Sequence, residues 1–144
     1  HQEDKHFDRE LIRKRLIDFE GMELKLYFCS SNKPTIGVGR NCLDNGITEE
    51  EAMYLLNNDI ADVIGKLDKY WTAWRKLPIT AQYVCIDVVF NMGINTWMSF
   101  RRTRSYMELG EWEKAGDELL DSKYAKQVGR RAIFNSEQLK SCQA

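Results

Sequence analysis

No apolar run in this chain is long enough to cross a bilayer: the longest, Val84 to Phe90, is broken by Asp87, and a spanning helix needs about 20 apolar residues. Two prolines and nine glycines in 144 residues exclude collagen-like and low-complexity disordered chains. No segment repeats at a fixed period, which excludes solenoids. The four cysteines, Cys29, Cys42, Cys85 and Cys142, include no CxxC pair, so neither a zinc site nor any other metal or cofactor is expected. There is no excess of positive charge: 21 basic residues face 22 acidic ones, for a net charge of −1, where a nucleic-acid binder of this size is clearly basic. The charged N-terminus has no signal-peptide pattern, and a start at His1 rather than Met leads us to expect a processed chain or a domain of a longer one. What is present, 43% hydrophobic and 30% charged residues, suits one soluble globular domain.

Periodicity divides the chain. Phe7, Leu11, Ile12, Leu16 and Phe19 cluster on one side at about 100° per residue, which predicts a helix over 6–20 stopped by Gly21. Alternation follows, with Leu24, Leu26 and Phe28 against Lys25, Tyr27 and Cys29, then Ile36 and Val38 against Thr35, Gly37 and Gly39. The turn-forming run Ser30 to Pro34 lies between, so a β-hairpin is predicted. Thr48 and Glu51 spell a capping box that opens a helix over 48–70. Pro78 precedes the stripe Ala81, Val84, Cys85, Val88, Val89 and Met92, which reads as a helix buried on most sides. Shorter helices are expected over 96–109, 111–121 and 129–140, and the cluster Arg101, Arg102 and Arg104 as a solvated helix face. The fold class is therefore α+β, in a single domain over 1–144. A small lobe with the hairpin sits at about 20–47. A mostly helical lobe at about 71–144 takes in the N-terminal helix, and the long helix joins the two.

One carboxylate is out of place. Asp18 and Glu20 occupy the last turn of the first helix, where the negative end of the dipole disfavours them. Glu20 falls at the edge of the apolar stripe, so partial burial is expected to join the dipole in favouring the protonated form. That is the form glycoside hydrolysis uses to protonate a leaving oxygen. On local pattern alone, an exposed Glu at a fraying helix end is the commoner arrangement. The hairpin adds Cys29 and Thr35, on the strand faces that lack aliphatic side chains. They are predicted to face each other across the hairpin mouth, near the end of the first helix. Gly37 and Gly39 would let a substrate approach the backbone closely. An ordinary hairpin with a buried Cys and a turn-capping Thr fits the same pattern.

Glu20-Gly21, Leu24-Lys25-Leu26-Tyr27, Cys29 and Thr35-Ile36-Gly37-Val38-Gly39, with eight and then five residues between Glu20, Cys29 and Thr35, resemble the catalytic signature of phage-type lysozymes, the muramidases of glycoside hydrolase family 24. Val89-Phe90-Asn91-Met92-Gly93 resembles that family's central helix, Trp97-Met98-Ser99-Phe100 its following apolar turn, and Gly129-Arg130-Arg131-Ala132 its late Arg-Arg element. The likeness runs from about residue 10 to 140, with a short segment between Gly39 and Thr48.

The resemblance implies a lysozyme-like fold and a bacteriolytic N-acetylmuramidase. Such an enzyme cleaves the β-1,4 bond between N-acetylmuramic acid and N-acetylglucosamine in bacterial peptidoglycan. It implies Glu20 as proton donor, Thr35 as the residue that holds the attacking water, and Cys29 where other members carry an Asp acting as base or stabiliser. A thiol does that work only as a thiolate, so a peptidoglycan-binding domain that has lost catalysis stays open. Arg131 matches the position that supports the catalytic Glu. Phe90, Phe100, Gly37 and Gly39 are expected on the supporting or substrate side. Asn91 reads evenly as a contact to the hairpin or a sugar amide and as a helix-end residue before Gly93. A bond between Cys29 and Cys42 would occupy the catalytic thiol, although scattered cysteines more often stay reduced. The expected partner is peptidoglycan, with no nucleic acid and no membrane insertion, and the expected state is a monomer. It would be made in the bacterial cytoplasm and act in the periplasm or wall. Its weak net charge gives little attraction to an anionic wall, so delivery within a larger chain, or by a tail or secretion apparatus, is expected.

Overall fold

Asp8 opens the first helix: its carboxylate accepts the amide N–H groups of Glu10 and Leu11 at 3.1 and 3.2 Å. A cap of this kind sets the start, so α1 spans Arg9–Glu20 rather than beginning at residue 6, and it ends at Gly21 with φ 77°. The computed structural model describes residues 6–143 and divides into two units, residues 1–53 and 54–144.

In the first unit, α1 leads into an antiparallel sheet of β1 (Glu23–Phe28), β2 (Pro34–Gly37) and β3 (Arg40–Asn41), in the order β1-β2-β3. Tyr27 pairs with Thr35 and Phe28 with Pro34. Glu23 pairs with Gly37, so the register slips between Glu23 and Tyr27 at a bulge. The hairpin turn closes through Cys29 N–H to the Lys33 carbonyl at 3.0 Å and Asn32 N–H to the Cys29 carbonyl at 2.8 Å. Thr35 and Ile36 continue the pairing to Asn41 and Arg40 of β3. The short helix α2 (Cys42–Asn45) follows, capped by Asn41. Neither β3 nor α2 was foreseen in the 39–48 segment, where caps and ion pairs rather than hydrophobic period define the backbone. Lys33 Nζ meets Asp44 at 2.6 Å, and Arg40 reaches the Gly46 carbonyl at 3.2 Å and Glu51 at 2.9 Å.

The hairpin inverts the usual rule for a half-buried strand. Leu24, Leu26 and Phe28 are exposed, whereas Tyr27 and Cys29 are half-buried and Thr35 is only 3% exposed. The apolar stripe of α1 is exposed as well, and so is Glu20. The partial burial expected for Glu20 is thus not found.

The long helix α3 (Glu49–Tyr70) carries the division between the units. The capping box forms as expected, with Thr48 N–H to Glu51 Oε1 at 2.9 Å and Glu51 N–H to Thr48 Oγ1 at 3.1 Å. A short 3₁₀ turn (Thr72–Lys76) leads to α4 (Ile79–Met92), α5 (Ile94–Ser99), α6 (Arg101–Glu108), α7 (Trp112–Leu120), α8 (Lys123–Val128) and α9 (Arg130–Lys140). The core of the second unit is built on Val84, Cys85, Val88 and Val89 of α4, with Leu67, Trp74, Trp97, Leu119 and Tyr124 among the residues around them. The α4 stripe is buried as its period predicts, but the helix is not covered on most sides: Ile79, Tyr83 and Phe90 are exposed. The helix expected over 96–109 breaks at Phe100, which caps α5, and α8 was not anticipated. Arg104 departs from the solvated-face expectation. It is half-buried, donates to the Met98 carbonyl at 2.7 Å and lies 5.5 Å from the Trp71 ring centroid. This α+β content matches the fold class read from the pattern.

Candidate active site

The first unit gathers five of the candidate residues. α1 ends at Glu20, and the chain must turn sharply to enter β1, which Gly21 permits. Two residues past β2, Gly39 adopts φ 63° in the turn to β3. The Glu20 carboxyl lies directly on that glycine: a Cβ there would overlap Glu20 Oε2 and stand 3.0 Å from its Cδ. Gly39 therefore makes room for Glu20 itself. Gly37, with φ 70°, is different, since a Cβ there would meet nothing within 4 Å.

Cys29 and Thr35 are brought together at the hairpin mouth. The amide N–H of Lys33, the hydroxyl of Thr35 and the amide N–H of Ser31 all favour the Cys29 thiolate, against a smaller opposing effect of burial, and hold its pKa below the usual thiol range. Thr35 has one hydroxyl proton, and in this structure it is donated to the Lys33 carbonyl at 2.8 Å. A Cys29 thiolate would compete for that proton. With the proton on Lys33, the Thr35 oxygen keeps its lone pairs free to accept. All four cysteines are free thiols, and Cys42 Sγ lies against the Arg40 carbonyl at 3.7 Å rather than in a bond with Cys29.

Arg131, Phe90, Asn91 and Phe100 belong to the second unit. Arg131 presents its guanidinium fork to Asp87, Nε to Oδ2 at 2.9 Å and Nη2 to Oδ1 at 2.7 Å. Asn135, 2% exposed, donates to the same Asp87 at 2.8 Å and to the Tyr124 hydroxyl at 2.6 Å. The Arg131 fork holds Asp87 below the usual carboxylate range, despite partial burial and with help from Asn135. Phe90 and Arg131 line one cavity of about 310 Å³ together with Leu56, Tyr83 and Ile86. Phe100 packs edge-on to Trp97 at 6.2 Å, at the margin of the core. Asn91 is exposed near the end of α4. The sequence marked Asp87 only as a charge in an apolar helix. Its partners stand 44 and 48 residues away, a separation no local spacing encodes.

The Asp87 cluster yields an expected result. Asp87→Ala removes an acceptor from the buried Asn135 and leaves the Arg131 fork unpaired. We expect a loss of about 1–3 kcal/mol at neutral pH in denaturant titrations. Most of it comes from Asn135, because the ion pair itself is partly exposed and screened. A carboxylate whose folded pKa is depressed contributes stability above its unfolded value, about 3.9, and loses it as pH falls through the lower folded value. The gap between wild type and variant should therefore narrow below about pH 4, by the part that depends on the Asp87 charge.

Comparison with known proteins places these residues in context. The family model described as phage lysozyme matches residues 17–136. The chain is similar to the pre-baseplate central spike protein Gp5 of Enterobacteria phage T4, 29% identical over 141 residues that cover 78% of this chain and 24% of that protein. It is also similar to an endolysin of Acyrthosiphon pisum secondary endosymbiont phage 1, 30% identical over 118 residues that cover 78% of this chain and 77% of that protein. The chain thus spans less than a quarter of the spike protein's length.

Proposed function

We propose that this chain, which belongs to the phage lysozyme family, hydrolyses bacterial peptidoglycan as an N-acetylmuramidase. The family match takes in residues of both units. The observation that carries the reading is the seating of the Glu20 carboxyl on Gly39, in the same small sheet that holds Cys29 beside Thr35.

In this mechanism Glu20 gives its proton to the glycosidic oxygen as the bond to the anomeric carbon of N-acetylmuramic acid breaks. A water oxygen forms the new bond to that carbon. Thr35 orients the water by accepting one of its hydrogens, and the Cys29 thiolate takes the other proton. Cys29 thus replaces the second carboxylate of the usual pair as an anionic base. Its environment favours that form through hydrogen bonds rather than a neighbouring cation. Arg131 is engaged with Asp87, and we read its part as fixing α9 on α4, with Phe90 and Asn91 offered toward the glycan from the exposed side of α4.

The similarity to a central spike protein, together with the near-neutral net charge of −1, favours a second reading on delivery. The domain would be carried to the wall within a larger assembly rather than attracted by its own charge. Clearing of purified sacculi, measured beside pull-down on the same sacculi, tests the function. Clearing by the wild type supports a hydrolase. Retention on the sacculi without clearing would make the chain a binding domain of the same fold, and the absence of both would contradict a wall-directed role.

A further inference from the structure

The fifteen residues from Ser122 to Ser136 hold four basic side chains, Lys123, Lys126, Arg130 and Arg131, and no acidic one. The other 17 basic residues of the chain face all 22 acidic ones, so the net charge of −1 conceals a local excess of the opposite sign. Arg131 is neutralised by Asp87 at 2.7 Å. Lys123, Lys126 and Arg130 are exposed and form no ion pair among the described residues. They also lie near one another. Lys123 and Lys126 are three residues apart on α8 and share a face, while Tyr124 is buried on another. The Gly129 N–H closes a further turn onto the Ala125 carbonyl at 3.1 Å, which sets Arg130, at the start of α9, one turn beyond Lys126.

Arg130 also lines a cavity of about 760 Å³ formed by α4 and α9 of the second unit. Tyr83 and Phe134 wall this cavity, and Thr80 and Gln138 reach it. The Thr80 hydroxyl and the Gln138 side-chain amide form no hydrogen bond among the described residues, whereas Asp87 and Arg131 are occupied with each other. The cavity thus offers one uncompensated cation, two free hydrogen-bonding groups and two aromatic rings. Such a lining suits a ligand that combines a carboxylate with amides and small apolar groups. A purely ionic polymer would leave the rings unused.

We propose that this cavity is a peptide subsite, in which Arg130 holds a carboxylate of the peptidoglycan stem peptide. Stem peptides place free carboxylates among amides and alanine methyl groups. Thr80 and Gln138 bond to the amides, Tyr83 and Phe134 cover the methyl groups, and Lys123 and Lys126 draw the acidic chain toward Arg130. The chain's attraction to the wall is then local and oriented, although its net charge gives none. The inference deepens the proposed function and rests on peptidoglycan as the substrate.

The test is titration of the full chain with the free stem tetrapeptide L-alanyl-γ-D-glutamyl-L-lysyl-D-alanine, followed by amide chemical shifts, which needs no catalysis. Wild type should bind, with the shifts centred on the cavity. Arg130→Gln should weaken binding by about 5-fold, the worth of one well-placed exposed ion pair, and Phe134→Ala should weaken it without any change of charge. Arg101→Gln removes an exposed arginine outside the cavity and should leave binding unchanged. On sacculi, Arg130→Gln should raise KM by a similar factor with kcat unchanged, as expected for a contact made equally in ground and transition states. No binding by wild type, or equal binding by Arg130→Gln, would overturn the proposal. Inorganic polyphosphate bound as tightly at Arg130 would overturn it too, since charge alone would then suffice. If the peptide binds as stated but wild type does not clear sacculi, the subsite stands and the hydrolase reading fails. If sacculi clear but the peptide does not bind, the reverse holds.

Discussion

Glu20→Gln is expected to slow the solubilisation of peptidoglycan by about 10²–10⁴-fold, the range for removing a general acid. The amide keeps the size and rotamers of the carboxyl and can rest on Gly39 in the same way, so no change of fold accompanies the loss. Stability should move the other way, if at all. Glu20 is exposed in the last turn of α1, with no basic residue in that turn, where a negative charge opposes the helix dipole. Removing the charge should leave the midpoint of denaturation unchanged or raise stability by about 0.3–1 kcal/mol. A residue that costs stability where it stands, and whose loss abolishes activity, is kept for its chemistry. Parallel measurement of clearing rates and denaturation midpoints checks both halves. A variant that is as active as wild type would remove Glu20 from the mechanism.

Gly39→Ala should reduce activity by about 10²-fold, the cost of moving a catalytic group by about 1 Å. The added Cβ would overlap Glu20 Oε2 and press on Cδ and Cγ, at 3.0 and 3.3 Å, so the carboxyl must leave its seat. The backbone also enters, because Gly39 has φ 63° and an L side chain there costs about 1–2 kcal/mol. Gly37→Ala separates the two causes. It has φ 70° and so the same backbone strain, but its Cβ would meet nothing within 4 Å. The two variants should lose similar stability, while only Gly39→Ala should lose most of its activity. Equal activities would mean that the contact with Glu20 is catalytically idle.

The elements with strong periodicity were legible in the sequence. The α4 stripe, the Thr48–Glu51 box and the alternation around Ser30 to Pro34 each produce the element they predict, although in the hairpin the aliphatic side chains are the exposed ones. Breaks and short elements were not. The split at Phe100, the helix α8, and the pair β3 and α2 depend on caps and ion pairs between particular atoms. In the site, the spacing of Cys29 and Thr35 did place them together. The seat of Glu20 on Gly39 was not legible, since it depends on how the end of α1 turns back over the sheet. Nor was the Asp87–Arg131–Asn135 cluster, which joins two helices that no short motif links. The exposure of Glu20 also ran against the pattern, because the stripe beside it is itself uncovered within its unit.

Digestion of purified peptidoglycan in water enriched in ¹⁸O, followed by mass analysis of the soluble fragments, tests the central claim most directly. If Glu20 protonates the leaving oxygen and a water held at Thr35 and Cys29 attacks, each new end is a reducing N-acetylmuramic acid carrying one ¹⁸O. Fragments ending in unlabelled anhydromuramic acid, or labelled at N-acetylglucosamine or in the peptide instead, would contradict the account.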